Sequence, residues 1–303
     1  MTTPDAWVHV PVMVEEVLRY LRPEAGGVFY DLTLGLGGHA HALLSRAPAD
    51  ARLYGLDRDP EALSRARERL AAFGERAVTR HGSFADLAEV AEVDSWPTAT
   101  GILLDLGVSS PQIDVGGRGF SFRREGPLDM RMDPTSGVPA CDWIERVSTK
   151  ELAHALREYA DEFRAEAIAR RIHESLPIRT TRDLVRVIER VLPPRRGSPH
   201  PAMRTFQALR IAVNDELGAL ERGVRAAAGR LAPGGRIVVL SYHSGEDRIV
   251  KCFLRDEARA GRLVVLTRRP ERPTIEESGR NPRADSAKLR AAERPSTSSA
   301  PAG

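Results

Sequence analysis

The sequence predicts an α/β fold: a Rossmann-like domain on a parallel sheet, interrupted by a helical insertion. Three observations carry this. Short apolar, β-rich runs alternate with helical patterns through the first hundred residues, as in a parallel sheet with crossover helices. A glycine-rich turn follows the first run directly. From Ser148 to about Leu192 the pattern turns helical, before a last buried-type run at Gly235–Ser241.

Taken in order, Val28–Leu32 reads as a first strand and Arg52–Asp57 as a second. An amphipathic helix over Glu61–Phe73 leads to a short third strand, Ala77–Arg80. Gly101–Asp105 is a fourth, apolar enough to be buried on both faces. From Asp114 to Pro139 the chain is rich in Gly, Arg, Asp and Pro and shows no period. Ser148-Thr149-Lys150-Glu151 is a capping box opening a helix expected to reach Ser175. Thr180–Asp183 opens a second helix, stopped by Pro193-Pro194. One long helix, Met203–Leu231, then returns the chain to its fifth strand. The expected domains are a discontinuous cofactor-binding domain (1–127 and 201–294), a helical insertion (128–200) and a disordered Ser, Pro, Ala and Gly-rich tail (295–303).

Composition narrows the class. At 303 residues and 42% hydrophobic, the chain can bury a real core. No apolar run is long enough to cross a bilayer, and Met1–Val10 lacks the basic start and apolar stretch of a signal peptide. Cys141 and Cys252 are far apart and form no CxxC pair, which excludes a zinc ribbon or disulfide framework and fits a reducing compartment. The expected location is cytoplasmic, with no membrane partner and no metal. Net charge is only +3, so charge alone does not prove nucleic-acid binding. Arg195-Arg196 and Arg268-Arg269 cluster in Pro- and Gly-rich segments, where a guanidinium suits bidentate phosphate contacts. A solvated arginine-rich surface accounts for them equally well.

The sharpest local signal is Asp31-Leu32-Thr33-Leu34-Gly35-Leu36-Gly37-Gly38-His39. Its glycines permit a tight turn and close approach of a ligand to the backbone. Twenty residues past Gly37 the second strand ends in Asp57, whose carboxylate can accept from the ribose hydroxyls of an adenosine-containing ligand. The spacing suits NAD-type enzymes as well, and Gly35-x-Gly37-x-x-Ala40 matches the loose dinucleotide pattern. Three features favour S-adenosyl-L-methionine: Asp31 ahead of the loop, placed for an amino group; Asp105 ending the fourth strand; and Leu231-Ala232-Pro233-Gly234-Gly235 before the fifth. Turn chemistry and helix capping explain these residues singly, but not the ordered set.

With these residues go nine segments that resemble the family of ribosomal small-subunit RNA methyltransferase H, also called MraW. They are HVPVM (His9–Met13), TLGLGGH (Thr33–His39), GLDRD (Gly55–Asp59), LDLGVSSPQ (Leu104–Gln112), RGFSF (Arg118–Phe122), PLDMRM (Pro127–Met132), HPAMRTFQALRI (His200–Ile211), SYHS (Ser241–Ser244) and NPRADSAKLR (Asn281–Arg290). The resemblance covers nearly the whole chain. It implies a class I Rossmann-like methyltransferase that uses S-adenosyl-L-methionine on the N4 amine of one cytidine in the decoding region of 16S ribosomal RNA. By motif matching, the cofactor contacts fall on Gly37, Gly38, His39, Asp57, Phe84, Asp105 and Gln112, with Phe84 against the adenine. The implied partner is small-subunit ribosomal RNA or the assembled small subunit; oligomeric state is open, a homodimer included. Met203 departs from the family's usual threonine.

No catalytic residue is assigned. The acceptor of the amine hydrogens lies open between backbone carbonyls of the loop after Asp105 and the hydroxyls of Ser109 and Ser110. Phe120, Phe122, Tyr242 and His243 are candidate base stackers, and Arg118, Arg131, Arg204 and Arg210 candidate phosphate contacts. Arg204 and Arg210 have an alternative as partners of Asp215 or Glu216. The 128–200 insertion is the expected RNA-recognition element. A Rossmann dehydrogenase or other nucleotide-cofactor enzyme, and a non-catalytic ribosome-assembly factor with a vestigial cofactor pocket, are the competing readings.

Overall fold

In the computed structural model, which describes residues 11–296, the five apolar runs become strands of one seven-stranded sheet. Its strands are β1 (Val28–Asp31), β2 (Arg52–Asp57), β3 (Ala77–His81), β4 (Ala99–Asp105), β5 (Leu231–Ser241), β6 (Val264–Val265) and β7 (Lys288–Glu293). Their order is β3-β2-β1-β4-β5-β7-β6. Neighbours from β3 through β5 pair in parallel, and β7 pairs antiparallel with both β5 and β6. The usual dinucleotide-binding order is 3-2-1-4-5-6; here an antiparallel strand is inserted beside the fifth. The N-terminal Met1–Val10 and the tail from Thr297 onward lie outside the described residues, as do the expectations placed on them.

The helices are α1 (Val14–Leu21), α2 (Gly38–Arg46), α3 (Pro60–Leu70), α4 (Leu87–Val93), α5 (Ser110–Asp114), α6 (Ala140–Arg146), α7 (Thr149–Ala160), α8 (Ala165–Glu174), α9 (Thr181–Val191), α10 (Ala202–Asn214), α11 (Glu216–Arg230), α12 (Ser244–Arg259) and α13 (Ile275–Arg280). None is long and apolar enough to cross a membrane.

The chain divides into two compact units, one over Val108–Glu216 and the other from the flanking segments up to Gly107 and from Leu217. In the sheet unit, successive residues of one strand feed opposite cores. Leu103 joins Leu18, Leu43, Leu53 and Leu240, whereas Ile102 and Leu104 join Tyr30, Leu56, Val239 and Val250. That is why β4 and β5 read as unbroken apolar runs.

The helical unit buries Leu152, Leu156, Ile168, Ile172, Leu184, Phe206 and Leu209 together. Its limits enclose the 128–200 segment and extend beyond it at both ends. Leu128, Met130 and Met132 of the aperiodic stretch are buried in the same core, and Asn214 at the end of α10 bonds to the backbone of Met130 and Met132.

Two helices expected to be continuous are broken. The one opened at Ser148 stops at Ala160, and the one opened near Met203 stops at Asn214. Asp161 and Asp215 follow, each left-handed with φ of 50° and 48°. A short polar side chain tolerates that conformation and ends the helix as glycine would.

Candidate functional site

The carboxyl ends of parallel strands open on one edge of a sheet, and ligands bind outside them. In the sheet unit β1, β2 and β4 each end in an aspartate: Asp31, Asp57 and Asp105.

Asp57 closes the glycine turn. One carboxylate oxygen accepts the Gly35 N–H at 2.6 Å and the other the Asp59 N–H at 2.8 Å. Burial pushes its pKa up against the pull of these amides. It does not cap α3; Asp59 does, accepting from the Glu61 N–H. Gly37 has φ of 73°, and a Cβ there would lie 3.3 Å from Ala66 Cβ, so any other residue is strained and crowded. Gly38 begins α2.

His39, in the first turn of α2, is 6% exposed. Its Nε2 lies 3.4 Å from Asp105 Oδ2, and neither ring nitrogen has a hydrogen-bond partner. Burial opposes the imidazolium, but the Asp105 and Asp31 carboxylates outweigh it and raise the pKa. Asp31 is itself buried, and desolvation pushes its pKa to about 7 despite the nearby His39. Asp105 accepts from the Tyr242 hydroxyl at 2.6 Å and donates its N–H to Thr33 Oγ1 at 2.5 Å.

Phe84 follows β3 and is half-buried. It lies so close to α11 that a side chain at Gly223 would overlap its ring. Six of the seven candidate cofactor residues thus belong to the sheet unit. Gln112 belongs to the helical unit, where it is 4% exposed and accepts the Ser109 N–H at 2.9 Å.

Most of the base-stacking and phosphate candidates within the folded units have internal roles. Phe120 is buried. Phe122 stacks on His200 with centroids 4.9 Å apart and meets Phe206 edge-on. His243 caps α12. Arg118 donates to the carbonyls of Arg131 and Met132, and Arg131 chelates Asp129. Arg210 grips Glu216 through two bonds of 2.8 Å. Arg204 is exposed and donates to the Asp161 carbonyl at 2.9 Å. Arg195, Arg196, Arg268 and Arg269 are exposed.

Sequence reasoning gave Thr33 no role and gave Tyr242 a different one. Thr33 was findable once β1 and β4 are adjacent. Asp31 registers with Leu103, so two residues further on Thr33 reaches Asp105.

A glycine turn between β1 and α2, acidic ends on β1, β2 and β4, and an antiparallel strand beside β5 define a Rossmann-like methyltransferase with S-adenosylmethionine as its cofactor. The unspent nitrogens of His39 beside two carboxyl groups fit the charged amino-acid end of that molecule. The chain belongs to the MraW methylase family, whose model matches residues 6–295.

A protein of Nitratidesulfovibrio vulgaris (strain DP4) called Ribosomal RNA small subunit methyltransferase H is 48% identical over 315 residues, covering 97% of this chain and 98% of its own. A Methylococcus capsulatus protein of the same name is 48% identical, covering 93% and 99%. The crystal structure of a putative rRNA-methylase from Clostridium thermocellum aligns at a TM-score of 0.47 and 12% identity, covering 95% of this chain and 100% of that one.

Proposed function

We propose that this protein methylates the N4 amine of a specific cytidine in the decoding region of small-subunit (16S) ribosomal RNA, acting in the cytoplasm. The family and the names of the relatives support ribosomal RNA as substrate. The observation that carries the chemistry is the buried His39–Asp105 pair beside the glycine turn.

When bound, S-adenosylmethionine supplies an electrophilic sulfonium methyl group. Asp57 would hold its ribose hydroxyls, Asp31, His39 and Asp105 its amino-acid end, and Phe84 its adenine; Gly37 and Gly38 let the backbone approach. The family resemblance adds Gln112. Cytosine's exocyclic amine is a poor nucleophile because its lone pair is delocalised into the ring. The protein's part is therefore to hold that nitrogen in line and accept its hydrogens. The helical unit is the element proposed to read RNA.

The test is to incubate the protein with methyl-labelled cofactor and either naked ribosomal RNA or small ribosomal particles, digest the RNA and locate the label. N4-methylcytidine at one position is the expected product. Label on another nucleoside, or none on either substrate, overturns the proposal. A nicotinamide cofactor should produce no binding signal in a fluorescence titration.

A further inference from the structure

We infer that Tyr242 is a positioning residue for Asp105, acting through its hydroxyl rather than as a base-stacking face. The inference rests on the reading that Asp105 faces the cofactor.

Tyr242 sits at the corner where β5 ends and α12 begins. That corner is anchored from below. Glu246, 3% exposed, accepts the N–H groups of Tyr242 at 2.7 Å and His243 at 3.2 Å through one carboxylate oxygen. The ring lies over Gly107, where a Cβ would sit 3.4 Å from Tyr242 Cδ2. Gly107 has φ of 96°, a conformation that side-chain-bearing residues avoid, so this position keeps the ring's seat open. With backbone and ring both seated, the hydroxyl reaches Asp105 Oδ1 at 2.6 Å.

The consequence falls on the other carboxylate oxygen. The terminal torsion of an aspartate is broad and weakly held. Asp105 Oδ2 lies 3.4 Å from His39 Nε2, close but without a formed hydrogen bond. Freed from Tyr242, the carboxylate can turn and close that gap, and the two groups then satisfy each other instead of a ligand. Burial, with Asp105 next in weight, pushes the Tyr242 pKa well above its ordinary value, so the hydroxyl stays a donor throughout the working pH range.

Tyr242→Phe removes one oxygen and keeps the ring. Calorimetry with S-adenosylhomocysteine should show affinity reduced about tenfold, the loss of one hydrogen bond to a charged group. RNA affinity should be unchanged, and in turnover the cofactor KM should rise with little change in kcat. Asp105→Asn and the double variant complete a cycle. Once Asp105 is asparagine, Tyr242→Phe should add little further loss. If Tyr242→Phe binds the cofactor product normally while Asp105→Asn does not, the inference fails. Full additivity in the double variant also overturns it, as does a phenylalanine variant that loses thermal stability but no affinity. Reduced RNA affinity in Tyr242→Ala, with Tyr242→Phe silent, restores the base-stacking role. If Asp105→Asn leaves affinity untouched, the reading of Asp105 as a cofactor residue fails first and the inference falls with it.

Discussion

At the strand ends of the sheet unit, His39 is buried with both ring nitrogens unspent, beside an Asp31 carboxyl that burial pushes up to about 7. In the helical unit, Arg118, Arg131 and Arg210 spend their guanidinium groups on carbonyls and carboxylates of that same unit. A buried polar group without a partner costs free energy unless something completes it. An arginine already bonded within its own fold gives up those bonds to reach a phosphate. At His39 it is unspent capacity, more than charge, that marks a place for a ligand.

The sharpest way to break this comparison is Arg210→Ala. It leaves Glu216, whose side chain is 8% exposed, without its bidentate partner. The loss should be about 3–5 kcal/mol in denaturant unfolding, with the salt dependence of RNA binding unchanged. A stable variant with a flatter salt slope would return Arg210 to the RNA face.

Asp57→Ala comes next. It removes the proposed ribose acceptor and releases the Gly35 amide. Cofactor affinity should fall by about 1.5–3 kcal/mol, or one to two decades, with the fold intact. Unchanged affinity by calorimetry would end the assignment.

Asp31 provides a test by pH. In the unfolded chain it ionises near 3.8, in the fold near 7, so the native state holds an extra proton across that window. Stability without cofactor should fall as pH rises from 3.8 to 7 and level off above, with a slope approaching about 1.4 kcal/mol per pH unit. Asp31→Asn removes this contribution, so its melting temperature should gain on the wild type across the window. A constant difference would mean Asp31 is ionised throughout.

The smallest effect concerns the exposed pair Arg195 and Arg196. If each meets a phosphate of single-stranded RNA, alanine at either should flatten the slope of log affinity against log salt by about 0.7. Unaltered slopes for both would place the RNA face elsewhere.

What could be read from the sequence follows from the range of the interactions. Strands β4 and β5 were legible because burial on both faces leaves contiguous apolar runs, and α9 because Thr180 and Pro193 bracket it. The breaks at Asp161 and Asp215 were not, because no glycine or proline announces a left-handed residue there. β7 was recognised as a motif and not as a strand. Its sequence Lys288-Leu289-Arg290-Ala291-Ala292-Glu293 favours a helix by propensity, and pairing on both edges overrides it. The aspartates at the strand ends were legible from spacing. The partners of Asp105 depend on strand order, which no local pattern contains.

That strand order has a consequence for how the molecule is made. β7 lies between β5 and β6, yet it is synthesised after both. While a nascent chain has reached only residue 287, β5 presents an open edge and the short β6 has no place in the sheet. Assembly from the N-terminus can bring β3, β2, β1, β4 and β5 together, and then must wait for Lys288–Glu293 to add to the β5 edge before β6 can pair. β5 leads directly into the corner that carries Tyr242. The final six-residue strand is thus a keystone, and a ribosome that stalls before it leaves an exposed strand edge open to aggregation.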